Sequence, residues 1–137
     1  MPTLSIWSIR TALLYLGLGF TLGALMLSSP FLGLAPTVLK LRPLHAEILL
    51  VGWMAQLAFG VAYWILPRLP GKRPRGNEQL AWLSLTLLNA GVVAVGLGQT
   101  LNGPSSVSAV GRGAEALAVF AFAIHAWTRV RSSGAFR

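Results

Sequence analysis

Residues 44–68 read Leu44-His45-Ala46-Glu47-Ile48-Leu49-Leu50-Val51-Gly52-Trp53-Met54-Ala55-Gln56-Leu57-Ala58-Phe59-Gly60-Val61-Ala62-Tyr63-Trp64-Ile65-Leu66-Pro67-Arg68. The apolar run from Leu44 to Leu66 is close to the ~20 residues that a helix rising ~1.5 Å per residue needs to cross a bilayer. One histidine stands near its mouth, where an ionisable side chain is costly and usually has a job. At about 100° per residue, His45, Leu49, Gly52, Gln56, Phe59 and Tyr63 fall within about 40° of one direction. This stripe reads as one wall of a cofactor slot.

Outward from this stretch, three more runs share its character: Thr11 to Ser29, Leu80 to Leu101 and Val107 to Thr128. Their lengths exceed those of core strands, and none alternates with period two. The breakers lie between them, at Ser28-Ser29-Pro30 with Pro36, at Pro67 to Gly76, and at Asn102-Gly103-Pro104. With 55% apolar and 10% charged residues, no Asp and a mean hydropathy of +0.68, the composition belongs to the membrane class. The expected fold is all-α, a single integral membrane domain over 1–137 with antiparallel helices near 11–29, 44–66, 80–101 and 107–128. The first run, long for the apolar core of a signal peptide, is expected to be retained.

The basic residues set an orientation. Arg10, Arg68, Lys72, Arg73, Arg75, Arg129, Arg131 and Arg137 flank one side, and Lys40, Arg42 and Arg112 the other. The excess of Lys and Arg on cytoplasmic segments puts both termini in the cytoplasm of a bacterial-type inner membrane. Trp7, Trp64, Trp82 and Trp127 fall at helix ends on the same basic side, where indole rings suit the headgroup boundary. His45 then lies near the outer face. The net charge of +8 is spread over membrane-flanking segments, which matches topology and anionic lipid, and no nucleic-acid partner is expected.

The absence of cysteine removes disulfides, thiolate metal sites and covalent haem attachment. Gly96-Leu97-Gly98 sits inside an apolar run, without the preceding strand and third glycine of a dinucleotide site. Imidazole is a common axial ligand of haem iron, and a porphyrin between helices needs small residues where it meets backbone. Gly52 supplies such a gap, Gln56 and Tyr63 polar groups, and Phe59 a ring to stack. Glycines can equally serve only to let helices approach, as Gly19 and Gly23 suggest.

The string His45 to Trp53, followed by Phe59-Gly60, Tyr63 and Leu66-Pro67-Arg68, resembles the second transmembrane helix of subunit I of the haem-copper oxidase and nitric oxide reductase superfamily. It is closer still to the small stand-alone four-helix proteins related to that subunit. Gly113 to Arg131, with Phe120, Phe122 and Trp127, is similar to the fourth helix of that group. The resemblance implies haem b with His45 as axial ligand to the iron, because the early histidine of that helix binds the low-spin haem. Relatives often carry a second histidine two residues later, where this chain has Glu47. The superfamily's catalytic metal centre uses histidines of later helices. This chain has two histidines in all, so it is not expected to form a complete oxidase or reductase by itself.

His125 is no partner for His45 on one iron. Both helices run inward from the outer side, and the two imidazoles differ in depth by about 20 Å at ~1.5 Å per residue. Ligands on one metal stand about 4 Å apart. His125 is read instead as an interfacial histidine bonded to backbone or headgroup, and Glu115 as an ion-pair partner of Arg112 one turn away. The expected function is b-type haem binding for electron transfer, or for binding or sensing a diatomic gas. The alternative is a haem-free accessory subunit of a respiratory or other membrane complex. The lipid bilayer is one partner, and a homo-oligomer or another membrane subunit is the other, since one helix face leaves a porphyrin open on its far side.

The orientation makes a direct prediction. In intact cells, a membrane-impermeant thiol reagent should label Ser105→Cys and leave Gly76→Cys unmodified. The reverse pattern overturns the assignment of His45 to the outer face.

Overall fold

The computed structural model describes residues 1–33, 35–71 and 74–133, the side chains of 35 and 131–133 excepted. Lys72, Arg73 and Arg137, and the side chain of Arg131, counted above for orientation, lie outside the described residues. Four helices are long and apolar enough to cross a membrane: α1 (Thr3–Ser28), α2 (Pro36–Ile65), α3 (Glu78–Thr100) and α4 (Ser105–Ser133). They form an antiparallel all-α bundle in which α1 packs on α2, α3 packs on α4, and α2 joins the two pairs.

Each helix departs from its apolar run at one end or both. α1 begins eight residues before Thr11, because an exposed Arg10 ends hydrophobicity without ending helical hydrogen bonding. Its added turns bury Leu4, Ser5 and Ser8. α2 begins at Pro36, carrying Lys40 and Arg42 on helical backbone. Its course is irregular: a short α-turn, a 3₁₀ turn at Leu39–Leu41, an α-segment at Arg42–Glu47, a π-helix at Ile48–Ala55 and an α-helix at Gln56–Ile65. Pro43 has no N–H to give the ladder, which accounts for the tightened turn before it. Leu66, extended at ψ 143° ahead of Pro67, ends the helix.

The other ends are capped locally. Asn77 accepts a hydrogen bond from the Leu80 N–H at 3.2 Å and starts α3. At the far end Asn102 takes φ 53°, Gly103 N–H donates to Gly98 O at 2.8 Å, and Asn102 N–H donates to Gln99 O. This double closure satisfies the last carbonyls of α3 and turns the chain directly into α4.

Close contacts at glycine hold the bundle. A Cβ at Gly60 would lie 2.7 Å from Ser8 Cβ, one at Gly96 2.7 Å from Leu44 Cδ1, and one at Gly111 2.7 Å from Val95 Cγ2. In lipid, where apolar side chains gain nothing by leaving one another's company for the tails, such contact is the main source of helix association. Gly19, Gly23, Gly91 and Gly98 all meet side chains of this same chain, so these glycine patterns are used inside the protomer.

Gly91 and Gly113 make opposite predictions. A Cβ at Gly91 would stand 2.5 Å from Glu115 Cγ and 2.9 Å from the Gly111 carbonyl, whereas nothing lies within 4 Å of one at Gly113. Unfolding in mixed detergent micelles should show Gly91→Ala destabilised by about 1–3 kcal/mol through overpacking. Gly113→Ala should be neutral or more stable by up to about 1 kcal/mol, through helix propensity alone.

Candidate functional site

His45 is half-buried against α1. Its Nδ1 lies 2.9 Å from the carbonyl oxygen of Gly19, and because that oxygen can only accept, Nδ1 carries the proton. Gly23 completes the seat: a Cβ there would be 2.9 Å from His45 Cε1 and would push the ring off. No described residue hydrogen-bonds Nε2. A backbone acceptor on one ring nitrogen that fixes tautomer and orientation of the other is the usual arrangement behind a metal-ligating imidazole.

The rest of the stripe is occupied by protein. The ring of Tyr15 fills the gap at Gly52, where a Cβ would lie 2.9 Å from Tyr15 Cγ and Cδ2. Gln56, fully buried, donates from Nε2 to Ser8 O at 3.3 Å. Phe59 stacks on Phe122 of α4, centroids 4.2 Å apart and planes 4° from parallel, and Tyr63 stacks on His125 at 5.3 Å. His45, Gly52 and Gln56 therefore face α1, and Phe59 and Tyr63 face α4. The divide falls after Gln56, in the regular α-helical segment Gln56–Ile65, where Phe59 lies about 60° around the axis from Gln56 at about 100° per residue and reaches α4 instead of α1. The stripe is split, and the slot expected along it is taken up by side chains.

Two polar clusters flank α2. At the His45 end, Arg112 Nη2 lies 2.7 Å from Glu47 Oε2, and its Nη1 is 3.1 Å from Glu47 Oε1 and 2.8 Å from Glu115 Oε2. The Arg112–Glu115 pair is the one expected from their spacing. The two-pronged clasp on Glu47 joins α4 to α2 across many residues of sequence, and nothing local announces it. Both carboxylates are buried, and Glu115 Oε1 has no hydrogen-bond partner. Among the described residues no group of three His, Cys, Asp or Glu side chains is placed to hold a metal ion. Glu47 points to α3 and α4 while His45 points to α1, so the two do not converge.

At the opposite end, His125 Nδ1 lies 3.1 Å from Asn77 O, which makes it the backbone-bonded histidine expected from sequence, though fully buried. The two histidines stand at opposite ends of α2. Arg129, counted from sequence only as a topology charge, is wholly buried. Its guanidinium donates to the carbonyls of Tyr63, Leu66 and Pro67, the last acceptors of a helix that a proline has ended. A cation at a helix C-terminus also meets the negative end of its dipole. The signal available in the sequence was the pairing of Leu66-Pro67 with an arginine near the matching end of α4.

No curated protein and no solved structure matches the chain. The family model described as cytochrome c and quinol oxidase polypeptide I matches residues 3–130, which takes in all four membrane helices and every polar contact above. The chain belongs to the cytochrome c and quinol oxidase polypeptide I family.

Proposed function

We propose that this multi-pass membrane protein is a b-type haem module in which His45 Nε2 is an axial ligand to the iron. The observation that carries the reading is the imidazole itself, protonated at Nδ1 toward Gly19, seated on Gly23 and unpartnered at Nε2. The bound group would supply an iron centre that exchanges one electron or holds a diatomic gas. The protein's part is to present one nitrogen in one orientation. Gly52, Gln56, Phe59 and Tyr63 serve that site by locking α2 between α1 and α4. The macrocycle would extend from the His45 end of the bundle, and a second copy or another membrane subunit would close its far side. The setting is a bacterial-type inner membrane with both termini cytoplasmic, following the charge distribution.

The dense packing below His45 favours one competing reading, a haem-free accessory subunit of a membrane complex. The visible spectrum of detergent-purified protein produced with ample haem separates the two. A Soret band with a stoichiometric haem-to-protein ratio is expected, lost in His45→Ala and kept in His125→Ala. Gly23→Leu should weaken haem retention by about 10–100-fold, the usual cost of disturbing the groups that orient a ligand. Wild-type protein without haem overturns the proposal in favour of the accessory subunit.

A further inference from the structure

At the end of the bundle opposite His45, a cavity of about 430 Å³ lies among the first turn of α1 from Pro2, Tyr63 of α2, and Arg75, Glu78 and Trp82 around the start of α3. Its size is within the range of small-ligand sites. Tyr63 is 1% exposed, yet no described residue hydrogen-bonds its hydroxyl. Tyr63 is one of the residues that line the cavity. A buried phenol normally finds a partner for its O–H, so this one is left for something that enters.

The surrounding charge states what that is. Pro2 caps α1 in an extended conformation without a side-chain cap, leaving first-turn N–H groups at Thr3 and Leu4 free to donate. Arg75 lies over the Tyr63 ring, 5.9 Å from its centroid, and Arg129 lies 5.3 Å from the same centroid. A helix N-terminus, a guanidinium and a phenol O–H together suit a phosphate. Glu78 borders the same cavity, and no described residue forms an ion pair with Arg75 or Glu78. Opposite charges that share a cavity without meeting leave room for a zwitterion. Trp82, 38% exposed at the start of a membrane helix, puts the cavity at headgroup depth.

We propose that this cavity binds the zwitterionic phosphate headgroup of phosphatidylethanolamine. The phosphodiester sits on Arg75, the Tyr63 hydroxyl and the first-turn N–H groups of α1, and the ammonium sits on Glu78. The site ties α1 to α2 and α3 at the end where the described residues give α1 few polar ties. It is independent of haem binding.

Native mass spectrometry of the detergent-purified full chain tests it, with phosphatidylethanolamine, phosphatidylglycerol and inorganic phosphate as separate probes. One saturable phosphatidylethanolamine adduct is expected, weakened about tenfold by Arg75→Gln, as loss of a charge-assisted contact requires. Tyr63→Phe should weaken it severalfold while keeping the ring stack, and Glu78→Gln should bring it down to the affinity for phosphatidylglycerol. Arg10→Gln, an exposed α1 arginine away from the cavity, should change nothing. Equal binding of the two lipids by wild type, or indifference to Arg75→Gln and Tyr63→Phe, overturns the proposal. Displacement by inorganic phosphate at comparable concentration overturns the lipid assignment and leaves a soluble-anion site. Circular dichroism checks that each variant is folded, and Tyr63→Phe and Glu78→Gln decide the matter should Arg75→Gln lose helix.

Discussion

Everything in this bundle depends on how closely α2 approaches its neighbours. Leu49 reaches into the notch at Gly19, His45 rests on Gly23, Tyr15 covers Gly52, and Ser8 meets Gly60. On the other flank Leu44 reaches Gly96, while α4 closes on α3 at Gly91 and Gly111. A membrane helix gains little by hiding leucines that lipid would solvate equally well. Its association comes from dispersion over close surfaces and from polar groups that would otherwise be stranded. Large apolar side chains therefore point outward, as Leu14, Leu18, Phe20, Val110 and Phe120 do, and small ones line the seams.

The polar groups inside follow the same logic. Tyr15 donates to Asn89 Oδ1 at 3.0 Å, and Asn89 Nδ2 in turn donates to Leu85 O; Ser84 donates to Ala118 O at 2.8 Å. Each bond joins or braces helices where water is absent. The charged groups are treated more strictly. Arg112 spans Glu47 and Glu115 at one end, and Arg129 closes the end of α2 at the other. Without Arg112 two buried carboxylates would lose their cation, and without Arg129 three helix-end carbonyls would lose their donor, so these two arginines hold the bundle at its ends. Beside the first of them, His45 is held by a backbone carbonyl that no side-chain substitution removes.

The course of α2 links packing to the candidate site. Through and beyond the π-segment the α1-facing residues run His45, Leu49, Gly52, Gln56 and Gly60, while Phe59 and Tyr63, in the regular α-helix after it, face α4. One helix thereby serves two partners, and the histidine at its end is oriented by the first of them. The same helix brings Tyr63 to the cavity at the far end.

The amino-acid sequence alone determined that this is a membrane protein of four helices, because hydrocarbon thickness and the cost of unpaired backbone leave an apolar chain few other choices. It also marked His45, since an imidazole in such a run stands out by its cost, and it paired Arg112 with Glu115, one turn apart. Only the tertiary structure decided what the glycines were for, because a glycine leaves room without saying what takes it, and at Gly52 the occupant is Tyr15. Arg112 on Glu47 and Arg129 on the end of α2 were likewise invisible, as each joins residues far apart in sequence. The split of the stripe was hidden for a related reason: which neighbour a side chain reaches depends on where α1 and α4 stand around α2, and the angle per residue along one helix does not carry that.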